Sequence, residues 1–156
     1  MNWGNLLFSF QGRINRARFW LAVLVFFVAG VLAQVIGYAS RSDALAVLLI
    51  SIVNLVAFVS GIFVAIKRLH DRDKSGWWLL LFYIAPGVLL GIGLVGGFLG
   101  IAEGSLSAGS MAFLFSLAGI AVLLWAFIEL GCLRGTAGPN RYGPDPLASP
   151  AMAPAQ

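Results

Sequence analysis

The stretch KRLHDRDKSGWW, Lys67–Trp78, places six charged residues and the only histidine in twelve positions of a chain that is only 10% charged. His70 is the one side chain there suited to proton transfer near neutrality, with Asp71 or Asp145 to fix its tautomer. A lone histidine without a nucleophile or metal partner falls short of a catalytic constellation, and HDxxxS is not a metal-ligand spacing. One cysteine, Cys132, leaves no Cys cluster for a metal and no intrachain disulfide; near the end of an apolar run, it reads as a buried, inert thiol. The expectation is therefore no catalysis, no metal and no cofactor. Arginine supplies the other chemistry. Arg13 and Arg16 lie in FQGRINRARFW, Arg68 in the central stretch, and Asn140, Arg141 and Asp145 in GPNRYGPDP, which does not fit a Walker-type loop. The guanidinium fork suits phosphate, so Arg13, Arg16, Arg68 and Arg141 would serve an anionic headgroup. The same arginines, with Asp71, Glu129 and Asp145, would equally close the end of a helical bundle as ion pairs.

The elements that must position these residues are membrane spans. The chain is 60% hydrophobic, with mean hydropathy +0.95, against about 45–50% apolar content in soluble domains. A net charge of +4 sits in short flanks beside apolar runs, which argues for membrane boundaries rather than nucleic acid. Four runs reach the about 20 residues needed to cross the bilayer as helix: residues 19–38, 44–66, 77–101 and 109–133. The reading is all-α, an integral membrane four-helix bundle over residues 1–146. Continuous apolar runs exclude barrel strands. The first run is too long, and starts too late, for a cleaved signal peptide. The tail LASPAMAPAQ, 147–156, reads as disordered.

Arg13, Arg16, Arg18, Lys67, Arg68, Arg72, Lys74, Arg134 and Arg141 fall on one side of such an arrangement, and only Arg41 on the other. The positive-inside rule then places both termini and the central loop in the cytoplasm. Trp3, Trp20, Trp77 and Trp78 lie near that boundary, and the opening NWGNLLFSF has the spacing of a helix lying in the interface plane. Ser75 is expected to cap the third helix and Pro86 to bend it. Small residues four apart, Gly87/Gly91, Gly93/Gly97 and Gly96/Gly100, predict close packing inside the bundle or against a second copy or membrane partner. Asn54, near mid-depth, is expected to make an interhelical hydrogen bond. Glu129, about one turn from the end of the fourth span, is expected to be ionised and paired with Arg13, Arg16 or Arg68. So few intramembrane polar groups argue against transport.

The three polar segments in order resemble the bacterial membrane family called domain-of-unknown-function 805. The resemblance rests on Gly12, Arg13, Arg16, Phe19 and Trp20, on Arg68–Asp71 with Ser75–Trp78, and on Asn140–Gly143 with Asp145 and Pro146. Asp73 departs from it, standing where that family usually has glycine. The resemblance implies a multi-span inner-membrane protein of undefined activity. The functional expectation is a membrane scaffold or accessory component with an Arg-rich cytoplasmic face meeting anionic lipid or a partner; the alternative is a small transporter or channel.

Overall fold

A computed structural model describes residues 3–148. Every regular element among them is helical, and four helices are long and apolar enough to cross a membrane. The expected tail lies, from residue 149, outside the described residues. The chain divides into two compact units, residues 3–76 with 134–148, and residues 77–133.

The first unit holds α1 (Trp3–Phe8), α2 (Arg16–Ala39) and α3 (Asp43–Asp71). Asn15 caps α2 by accepting from the Arg18 N–H, and Ser42 caps α3 by accepting from that of Leu45. The short turn at Ser40–Ser42 makes α2 and α3 an antiparallel pair. Leu6, Ile14, Ala22 and Val64 form its core near the polar end, flanked by Leu7, Phe19 and Phe26.

α3 runs five residues past the apolar stretch that was expected to end at Ile66. Its 29 residues span about 43 Å at ~1.5 Å per residue, well beyond the roughly 30 Å hydrocarbon core. Lys67 to Asp71 thus remain helical outside the apolar zone. Asn54 corrects a second expectation: it is exposed and makes no hydrogen bond among the described residues. Six residues from the buried Ser60, it sits about 120° around the helix, away from the packed face.

The second unit is another helical pair. Its first helix carries a π-helical turn, Leu80–Ile84, near its start and continues as α4 (Ala85–Glu103); α5 (Leu106–Phe127) is followed directly by a second π-helical turn, Ile128–Cys132. Ser75 makes no capping bond, because residues 76–77 form a turn and the helix starts only at Trp78. A π-helical turn ends just before Pro86, which stands in the first turn of α4 and has no N–H to donate. Trp125 stands edge-on to both Trp78 and Phe82, with ring centroids 5.6 and 5.3 Å away. Cys132, ending the second π-helical turn, is exposed rather than buried.

Small residues hold α4 against α5. A Cβ on Gly93 would lie 2.9 Å from the Ala112 carbonyl and would overlap Ser116 Oγ; one on Gly100 would lie 2.9 Å from the Gly109 nitrogen. Gly96 and Gly97 face Ala112, whereas Gly87 and Gly91 meet nothing within 4 Å. Packing within the pair therefore accounts for the later glycines and not for the first two. Gly93→Ala is expected to lower stability by the about 1–3 kcal/mol of an overpacked core, and Gly87→Ala to leave it unchanged, as read by unfolding in detergent. Equal stability of the two variants would contradict this packing.

Candidate functional site: a buried arginine–aspartate hub

The polar end of the first unit is organised around Asp71, the last residue of α3. Arg68, one turn back, donates to Asp71 Oδ2 at 2.5 Å, and the Arg13 guanidinium reaches Oδ1 at 3.1 Å. The side chains of Arg13, Arg68 and Asp71 are 1%, 0% and 4% exposed. The shared carboxylate offsets part of the cost of burying the two cations.

Arg13 does more than neutralise Asp71. Its five N–H groups face five protein acceptors: Asp71 Oδ1, the carbonyls of Thr136, Gly138 and Gly143, and Thr136 Oγ1. One side chain from the start of the chain thus fastens the C-terminal segment. Asp71 completes the link through its backbone, as its carbonyl accepts from the Thr136 N–H at 2.8 Å and from Thr136 Oγ1 at 3.2 Å.

The neighbouring residues of the central stretch are spent in the same way. The Lys67 ammonium donates to the carbonyls of Asn5 and Leu6, both at 2.5 Å, and so ties down the end of α1. Gly12, with φ 87° in the region glycine favours, offers its carbonyl to His70 Nδ1 at 3.3 Å. That contact calls for an Nδ1–H donor, so a backbone carbonyl, rather than Asp71 or Asp145, orients the imidazole. The other face of the arrangement is a tight turn, Asn140–Gly143, closed by reciprocal backbone bonds of 3.1 Å. It lays Tyr142 flat on His70, with centroids 3.8 Å apart and planes 5° from parallel. Asn140 Nδ2 donates to the His70 carbonyl.

Asp73 takes φ 56°, the left-handed conformation for which glycine would be the usual choice. Aspartate is among the side chains that tolerate it, so the turn survives the departure noted in the sequence. Asp73 gains a partner in exchange, an exposed ion pair with Arg141 at 3.1 Å. The Asp145 carboxylate accepts from the N–H groups of Leu147 and Gly138. These two bonds hold its pKa below the ordinary aspartate value, helped by the charges of Arg13 and Arg134 and opposed by slight burial.

The structure therefore brings Arg13, Arg68, His70, Asp71, Asn140, Arg141 and Asp145 together at one end of one unit, with Arg16 at the adjacent start of α2. It leaves Arg41 at the opposite turn. Glu129 lies in the other unit, buried within the second π-helical turn. Arg13 and Arg68 are closed to any outside anion, the first by its acceptors and the second by complete burial. Sequence reasoning missed Gly135 and Thr136. A Cβ on Gly135 would overlap the Asp71 carboxylate, so only glycine lets the chain pass there. No group of three or more His, Cys, Asp or Glu stands close enough to hold a metal among the described residues.

The model of the family described as "Protein of unknown function (DUF805)" matches residues 7–144, a range that contains Arg13, Arg68, Asp71 and every acceptor of Arg13. The chain belongs to this family. Its similar relatives in Escherichia coli K12 include inner membrane protein YhaH, 30% identical over 91% of this chain and 90% of the relative. Inner membrane protein YhaI is 31% identical over 88% and 86%, respectively. Uncharacterized protein YiiR is 32% identical over 89% and 86%. No solved structure matches the chain.

Proposed function

We propose that this family member is a non-enzymatic inner-membrane protein, with both termini in the cytoplasm, whose folded polar end meets anionic lipid headgroups. The observation that supports the reading most is a division among its cations. Lys67, Arg68 and Arg13 are buried on protein acceptors, while Arg16, Arg18, Arg134 and Arg141 are exposed around them. The inner set builds the cap; the outer set forms a ring at the depth where phosphates of the bilayer lie. The orientation rests on the nine Lys and Arg opposed to Arg41 alone. The relatives' names, inner membrane protein, agree with that location.

Full-length protein extracted in mild detergent should retain phosphatidylglycerol in preference to phosphatidylcholine, as read by lipid mass spectrometry. Changing Arg16, Arg18 and Arg141 together to Gln should remove most of that preference. Equal retention of the two lipids by the unaltered protein would overturn the headgroup role. Reporter fusions after Gln156 and in the Arg41 turn should report cytoplasm and exterior, respectively, and the reverse would overturn the orientation.

A further inference from the structure

We propose that a cavity at the start of α2 is a binding site for a phosphate group, gripped by Arg16 and Arg134. This deepens the headgroup reading above and rests on it. The cavity measures about 160 Å³ and is lined by Asn15 and Arg16 from one segment and by Arg134, Gly135, Thr136 and Asp145 from another, with Asp71 at its wall. It exceeds by an order of magnitude the ~10–15 Å³ that a single water needs. The charge of Asp71 is already matched by Arg13 and Arg68. Both carboxylate oxygens of Asp145 already accept backbone N–H groups. Arg16 and Arg134 are the two cationic side chains of the lining.

Arg134 is anchored by its main chain rather than by its side chain. Its carbonyl accepts from Arg72 at 2.6 Å, yet its guanidinium makes no hydrogen bond among the described residues. The main chain is thus anchored while the fork beside the cavity is uncommitted, which is the arrangement bidentate phosphate recognition calls for. Arg16 approaches the same space from the first turn of a 24-residue helix, where the backbone dipoles also favour an anion. Arg16 precedes by three residues the apolar run that begins at Phe19, so the cavity opens at headgroup depth. The shared chemistry is a phosphate ester or phosphate anion, supplied either by a lipid headgroup or from solution.

The test titrates the full-length protein in detergent with phosphatidylglycerol and, separately, with inorganic phosphate. Arg134→Gln removes no hydrogen bond seen within the fold and should weaken binding about tenfold, while Arg141→Gln, an exposed arginine outside the cavity, should change it less than about twofold. Dependence on Arg134 seen with the lipid alone assigns the site to a headgroup; the same dependence with inorganic phosphate assigns it to a soluble anion. Unchanged binding in Arg134→Gln overturns the cavity site. Equal losses in Arg134→Gln and Arg141→Gln also overturn it, and leave the diffuse arginine ring of the broader reading standing. Absence of any lipid preference in the unaltered protein would remove that broader reading instead.

Discussion

Asp71→Asn is expected to cost about 3–5 kcal/mol of stability, the usual consequence of removing one partner from a buried ion pair. Asparagine keeps the shape but not the charge, so two guanidinium groups that are almost wholly buried lose their common anion. The loss should spread through the unit, because Arg13 also holds the carbonyls of Thr136, Gly138 and Gly143. Thermal unfolding in detergent, together with protease accessibility of the segment after Leu133, reads both effects. An Asp71→Asn protein as stable and as protected as the parent would show that the hub carries no energy.

Gly135→Ala should be almost as damaging, although it alters no polar group. The added Cβ would overlap the Asp71 carboxylate and come within 2.7 Å of even its farther oxygen. The glycine has little freedom to retreat, since the preceding carbonyl accepts from Arg72 and the following N–H donates to the Asp71 carbonyl. Either the backbone gives up these bonds or the carboxylate leaves Arg13. The cost should reach at least the about 1–3 kcal/mol of an overpacked core. In an Asp71→Ala background the same change should cost far less, because the atoms it strikes are gone. Equal costs in the two backgrounds would place the damage elsewhere.

Much of this was legible in the residues. Long apolar runs identified the four membrane-capable helices, because continuous hydrophobicity over such lengths has few other uses. The first two polar segments share a unit end because α2 and α3 return on each other, a consequence of the short turn around Arg41, and the third is fastened there by Arg13 and Asp71. Helix ends were harder to read. α3 outlasts its apolar run since Lys67 and Arg68 find buried acceptors, and nothing local in KRLHD announces carbonyls from Asn5 and Leu6. A carboxylate among arginines at Asp71 was a visible signal of pairing, but its partners lie 58 residues away at Arg13 and three away at Arg68. Gly135 and Thr136 were missed for the same reason: their roles lie in backbone contacts with a distant helix end. Asn54 and Cys132 were misjudged because position along a helix was read without its rotation.

The account's central claim is that Arg13 and Asp71 act as one unit, and a double-mutant cycle on unfolding free energy tests it most directly. Arg13→Gln, Asp71→Asn and the double variant should show a coupling of about 0.5–3 kcal/mol, the range of residues in direct contact, with the double variant far less damaged than the sum of the singles. Single-variant costs that add to within about 0.3–0.5 kcal/mol, as they do for independent sites, would contradict the claim.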